Sequence, residues 1–322
     1  MGKETPLKNS DNENGIFRDV NEIIDGALKL TKGKSPKFSH KAASDELSKG
    51  PINNVGAELV EKVFQKVEEN WKRSPRASKP SEKLWVPRRT LEWSEKFESA
   101  EVPLERSAVA LFKFYNVLHK RIDGHPNPHL TWFNQVPVAS GIVSQRQSRN
   151  AIDLVCRTGE GVYDFVELKY PKRGETSDKR RALSEMPLNA AMEILKNGLL
   201  YLFTRKHLDD LVKLQQYEPK LDETEKDHDV EATEILKATK IALCVLAPAY
   251  FYNGFDLAWL EGELNEGLAQ FFANYGGDRI AMTFRFESLV DEPFKITEGN
   301  GFKLDFTRRH PVLWKVAGDK SS

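Results

Sequence analysis

Asp153, Glu167 and Lys169 are the residues of this chain whose types and spacing suit chemistry: two carboxylates and one ammonium within a short stretch. They lie in Asn150 to Tyr170, NAIDLVCRTGEGVYDFVELKY, which reads as a β-hairpin. Alternation puts Ile152, Leu154 and Cys156 on one face of the first strand, and Ala151, Asp153 and Val155 on the other. Glu167 and Lys169 are two apart on the second strand and share a face. A three-residue Gly159-Glu160-Gly161 loop pairs Thr158 with Val162, and counting outward sets Asp153 opposite Glu167. Directly opposed side chains have Cβ atoms roughly 4.5–5.5 Å apart. Two carboxylates that close raise the pKa of one unless a cation sits between them. A two-residue loop would slip the register and turn Asp153 away. The competing structural reading is an exposed hairpin with Glu167 and Lys169 merely solvated.

The hairpin has to be positioned by its neighbours. Leu104 to Arg121 has Leu104, Ala108, Leu111, Phe112, Tyr115 and Leu118 at helical spacing. Leu130 to Val138 is strand-like, with Pro137 marking an edge or bulge. After the hairpin, Leu188 to Thr204 carries Leu188, Met192, Leu195, Leu199 and Leu202 at helical positions, and Lys240 to Ala249 is an apolar run suited to a buried strand.

Asp153 followed by Glu167-Leu168-Lys169, within an α-β-β-β-α-β order, resembles the PD-(D/E)XK nuclease superfamily over roughly Glu101 to Ala249. In that family an acid on one strand and an acid-x-Lys on the next hold magnesium and position a hydrolytic water. Ile152 stands where the name-giving pattern has proline, a position that contributes no ligand. Glu218-Pro219-Lys220 also matches the tripeptide, but in a polar, proline-containing segment without strand pattern. The resemblance implies an α/β fold with a restriction-endonuclease-like core: a mixed central sheet flanked by helices, preceded by an N-terminal helical or disordered extension. It implies Mg²⁺ or Mn²⁺ held by Asp153, Glu167 and the Leu168 carbonyl, with Lys169 orienting water or stabilising developing charge. It further implies a role for Glu105, on the helix before the first core strand, as a second metal or outer-shell ligand; a helix-start carboxylate favoured by the macrodipole is the alternative. Asn197 and Tyr201 resemble the Gln-x-x-x-Tyr pair of the exonuclease branch, with asparagine in place of glutamine. They lie opposite the leucine stripe, so a solvated face is the competing reading.

Composition sets the frame. The chain has 322 residues, with 48 basic and 48 acidic side chains, so overall charge calls for no polyanion partner. Local charge does: Lys169, Lys172, Arg173, Lys179, Arg180 and Arg181 crowd the segment after the site and are suited to phosphates, or else to solvent. Acidic residues concentrate between Asp222 and Glu234, an insertion near 218–236. Residues 1–53 read as a mostly disordered polar segment, poorly periodic apart from Val20 to Leu30. Residues 54–100 read as a helical extension, Asn54 to Lys72, and a basic linker with Trp85; residues 101–322 form the nuclease-like domain. A helix near Leu257 to Asn274, a strand at Arg279 to Phe286 and short strands at Phe302 to Phe306 and Val312 to Val316 extend or cover the sheet.

Some chemistry is excluded. The prolines in His125-Pro126-Asn127-Pro128-His129 prevent the helix that would aim both histidines at zinc. No Gly-rich phosphate loop occurs, which excludes a built-in ATPase motor. Cys156 and Cys244 fall in core strands as reduced thiols. Without a membrane-length apolar run or signal segment, the expectation is a soluble, cytoplasmic protein with no membrane partner. The sequence therefore leads to a metal-dependent nuclease acting on nucleic acid, DNA on family grounds, with a homodimer compatible. The alternatives are a catalytically silent nucleic-acid-binding or assembly module on the same fold, and a mobile-element or defence nuclease acting on RNA or DNA.

Overall fold

The structure is a computed structural model that describes residues 16–30, 54–73, 131–138, 151–169, 186–210, 234–253, 255–275, 280–289, 294–299, 301–306 and 314–316. In chain order its elements are α1 (Val20–Ala27), α2 (Val55–Arg73), β1 (Thr131–Pro137), β2 (Ala151–Gly159), β3 (Val162–Leu168), α3 (Pro187–Lys206), β4 (Lys240–Pro248), a 3₁₀ turn (Ala249–Phe251), α4 (Ala258–Asn274), β5 (Ala281–Leu289), β6 (Phe294–Gly299), β7 (Gly301–Phe306) and β8 (Trp314–Val316).

The fold is α/β. A six-stranded mixed sheet runs β1-β2-β3-β4-β5-β8, and β6 and β7 form a separate two-stranded sheet. Antiparallel pairs join β1 to β2 and β2 to β3. The pairs β3/β4 and β4/β5 are parallel, so each needs a crossover, and α3 and α4 lie in those two connections. Position in the sheet explains composition: in central β4, KIALCVLAP, every residue after Lys240 is buried. Pro137 ends β1, an edge strand of the sheet among the described residues, where a missing donor does least harm. The expected helix over Leu104 to Arg121 lies outside the described residues.

The N-terminal part departs from expectation. Ile16, Val20, Ile24 and Leu28 are buried, and the Asn70 amide donates to the carbonyls of Ile16 at 2.9 Å and Arg18 at 2.8 Å. Residues 16–30 are thus packed rather than loose. Nor is α2 an appendage: Leu59, Val63, Phe64, Val67 and Trp71 join the same core as α3, α4 and the sheet. The sequence shows this apolar face but not what it meets. It meets α4 at van der Waals range because of two glycines: a Cβ on Gly56 would lie 1.6 Å from the Glu263 carbonyl oxygen, and one on Gly267 2.1 Å from the Gly56 carbonyl carbon. Gly198 does the same for α3 over β4, where a Cβ would meet Leu243 at 2.7 Å.

On the other face of the sheet, Arg285 donates to Asp164 at 2.8 Å across β4 and to Glu287 on its own strand. Burial raises both carboxyls above their usual range, and the guanidinium opposes the rise. Cys156 and Cys244 are free and buried, and burial pushes both thiols far up, so neither is a nucleophile. Among the described residues no helix is long and apolar enough to cross a membrane.

Candidate active site at the end of strand β3

The hairpin turn differs from the expected one, yet its consequence is the same. Gly159 pairs with Val162, leaving a two-residue Glu160-Gly161 turn with Gly161 at φ 64°. A bulge between Arg157 and Gly159 then absorbs Thr158, so Arg157 faces Tyr163 and Leu154 faces Val166. One residue further, this register sets Asp153 opposite Glu167. The slip that a two-residue turn would cause is cancelled by the bulge. The turn is anchored from β4, where the Thr239 and Lys240 amides donate to the Gly161 carbonyl at 2.8 and 3.1 Å.

Main-chain pairing between β2 and β3 ends at Leu154 and Val166, and there the Asp153 carboxylate takes over: its Oδ2 accepts the Leu168 N–H at 2.9 Å. The Lys169 N–H donates to the Leu246 carbonyl at 3.0 Å, tying the last residue of the site to β4. Lys169 Nζ lies 2.7 Å from Glu167 Oε1 and 3.0 Å from Glu193 Oε2, with the lysine side chain only 15% exposed. Glu193 comes from α3, and its Oε1 accepts from the Asn189 amide one turn earlier at 3.1 Å.

Electrostatics follow from crowding in a poorly solvated corner. Burial drives the Glu167 carboxyl well above its usual range, the Asp153 and Glu193 carboxylates add to this, and Lys169 opposes it. Glu193 goes the other way: against its own burial, Lys169, Lys196 and a hydrogen bond with Glu167 hold it down to about 2. Burial works against the Lys169 charge, but Glu167, Glu193 and Asp153 raise its pKa well above the usual lysine value, so it is an ammonium throughout the neutral range.

Asp153, Glu167 and the Leu168 carbonyl are hard oxygen donors of the kind magnesium and manganese take, and Mg²⁺ keeps several waters when so few protein ligands hold it. The crowding of Asp153 against Glu167 is the observation that fits a cation there. Among the described residues no group of three or more His, Cys, Asp or Glu converges as a metal cage.

Of the remaining expected site residues, Glu105, Lys172, Arg173, Lys179, Arg180 and Arg181 lie outside the described residues, as do Glu218-Pro219-Lys220, the acidic insertion up to residue 233 and the His125/His129 pair. Asn197 and Tyr201 need correction. Tyr201 is 0% exposed, donates to the Ile235 carbonyl at 2.6 Å and packs edge-on against Phe165. Asn197 is buried as well. Neither lies on a solvated face, and Tyr201 is a core residue without access to nucleic acid. The reason is that α3 is buried nearly all round, between the sheet and α2, so its leucine stripe does not mark a single inward face. Glu193 is the site residue that the sequence reading missed. Its signal was weak: the lone carboxylate of a helix whose other charged residues are Lys196, Arg205 and Lys206.

Compared with known proteins, the chain matches no family model, no curated protein and no solved structure.

Proposed function

We propose that this chain is a Mg²⁺- or Mn²⁺-dependent nuclease of the PD-(D/E)XK type, hydrolysing phosphodiester bonds of nucleic acid, with DNA as the preferred substrate. The observation that carries the reading is the meeting of Asp153, Glu167 and Lys169 at one end of β3, with both carboxylates and the ammonium within interaction range in a buried corner. The element order β1-β2-β3-α3-β4 supports the same reading, because it agrees with the β-β-β-α-β part of the order expected for that family.

Asp153 and Glu167 would hold the cation, together with the Leu168 carbonyl. When bound, the cation supplies charge that polarises the phosphate and lowers the pKa of an attacking water. Lys169 Nζ, charged at neutral pH, donates hydrogen bonds to that water or to the negative charge that develops on the phosphate. The Leu168 N–H bond fixes Asp153, so its carboxylate is in place before substrate arrives. Lys172, Arg173, Lys179, Arg180 and Arg181 follow the site in sequence and supply positive charge for the phosphate backbone.

The test is incubation of the purified protein with plasmid, linear and single-stranded DNA and with RNA, each with Mg²⁺, Mn²⁺ or EDTA. The expected result is cleavage of DNA that needs the metal, stops with EDTA and is lost in Asp153→Asn. Full activity in Asp153→Asn, or no metal-dependent cleavage of any substrate, would overturn the proposal.

A further inference from the structure

We infer that Glu193 is a positioning residue of this site: from α3 its carboxylate pairs with the Lys169 ammonium and so holds that ammonium in place at the end of β3. The inference rests on the nuclease reading for its consequence in turnover, but not for the contact itself.

A lysine ammonium has three donors on a flexible four-carbon stem. Glu167, two residues before Lys169 on the same strand, holds the ammonium at 2.7 Å, but one anchor leaves it free to rotate about that contact. Glu193 Oε2, at 3.0 Å, is a second anchor from a different element. The Glu193 contact is an ion pair and not a directional hydrogen bond, so it restrains the ammonium by charge, between the end of β3 and α3.

Glu193 is itself held. Its other oxygen accepts from Asn189, whose side chain is buried, and that residue sits in the first turn of α3. The helix is seated by Gly198, which brings its backbone against Leu243 of β4. The chain of contacts thus runs from sheet packing through Asn189 and Glu193 to Lys169.

The experiment uses the full chain carrying Glu193→Gln, Glu193→Ala, Lys169→Ala and the double substitution Lys169→Ala with Glu193→Ala. Without metal or nucleic acid, the ¹H–¹⁵N resonance of the Lys169 ammonium is followed, assigned by its loss in Lys169→Ala. It should be sharp in the parent, broadened in Glu193→Ala and intermediate in Glu193→Gln, which keeps an acceptor. In DNA cleavage, Glu193→Ala should lower kcat by about 10–100-fold, the range for residues that orient a functional group. KM for DNA and Mn²⁺ affinity should stay within about twofold, Glu193→Gln should recover part of kcat, and the double variant should be no slower than Lys169→Ala.

An unchanged Lys169 resonance in Glu193→Ala overturns the inference, as does a double variant slower than Lys169→Ala by the full Glu193→Ala factor. Loss of Mn²⁺ affinity as large as that of Asp153→Asn also overturns it, since Glu193 would then be a ligand. If the resonance responds as stated but the parent cleaves nothing with any metal, the grip on Lys169 stands and the nuclease reading falls.

Discussion

The Asp153 carboxylate on β2 accepts the Leu168 N–H of β3 at 2.9 Å, standing in for a main-chain acceptor where the pairing of the two strands ends. One side chain thereby does two jobs: it closes the hairpin, and it brings a negative charge up to Glu167. Substitutions that separate these jobs tell them apart.

Asp153→Asn keeps an oxygen for Leu168 and removes the charge, whereas Asp153→Ala removes both. The alanine variant should be less stable than the asparagine variant by about 1.5–3 kcal/mol, the cost of losing a hydrogen bond to a charged group and orphaning its donor. Both should bind Mn²⁺ more weakly than the parent. Lys169→Ala should retain or tighten Mn²⁺ binding, because it removes a neighbouring positive charge. Denaturant unfolding and calorimetric titration supply the two measurements, and equal Mn²⁺ affinity in Asp153→Asn and the parent would count against a cation at this position.

Protonation gives a second prediction. Burial and Asp153 raise the Glu167 carboxyl well above its usual range, so a cation bound there competes with protons for it. Metal affinity should therefore rise with pH above the ordinary glutamate pKa of about 4.3. Calorimetry in buffers of different ionisation enthalpy should show net proton release, smaller in Asp153→Asn. Binding enthalpies independent of buffer between about pH 5 and pH 8 would contradict it.

Glu167 and Glu193 make opposite contributions to stability. Glu167 binds its proton more tightly folded than unfolded, so its contribution weakens as pH rises through its raised pKa. Glu193 is depressed to about 2, so its contribution is present above the ordinary glutamate pKa and is lost as pH falls toward that value. Glu193→Gln should therefore cost stability at neutral pH, with the deficit shrinking in acid below about pH 4. A pH-independent deficit in urea melts would rule out the charge on Glu193 as its source.

On the far face of the sheet, Arg285 neutralises Asp164 and Glu287, two carboxylates already raised by burial. Arg285→Met should destabilise the protein by about 3 kcal/mol, since it leaves both carboxylates buried without a partner. Their pKa values should climb further in the variant, so the deficit should be largest at high pH and shrink as acid protonates them. A deficit that grows in acid would exclude this account.

Gly56→Ala and Gly262→Ala form a matched pair on the helices. The first places a Cβ 1.6 Å from the Glu263 carbonyl oxygen and must push α2 off α4, while the second finds nothing within 4 Å. Gly56→Ala should cost about 3 kcal/mol or more, at or beyond the usual overpacking range. Gly262→Ala should stabilise by about 0.4–1 kcal/mol through the unfolded chain and helix propensity. Similar melting temperatures for the two variants would show that the crossing is looser than the glycine contacts imply.

What the sequence determined by itself was local. The two-residue period of a strand places Glu167 and Lys169 on one face, and the glycines of Gly159-Glu160-Gly161 mark the turn that folds Asp153 back toward them. The apolar run of β4 and the apolar stripe of α2 were equally legible, because burial on two faces or on one leaves its own pattern. The tertiary structure decided the rest. Thr158 bulges to restore a register that the two-residue turn alone would have slipped, an adjustment with no composition signal. Glu193 reaches Lys169 because α3 crosses from β3 to β4 and seats on Leu243 through Gly198. Tyr201 is buried because its side of α3 packs onto Phe165 of β3 and reaches the Ile235 carbonyl ahead of β4. Strand alternation is written between adjacent residues, whereas which side chain of a helix meets a site depends on how that helix packs against elements far away in the chain.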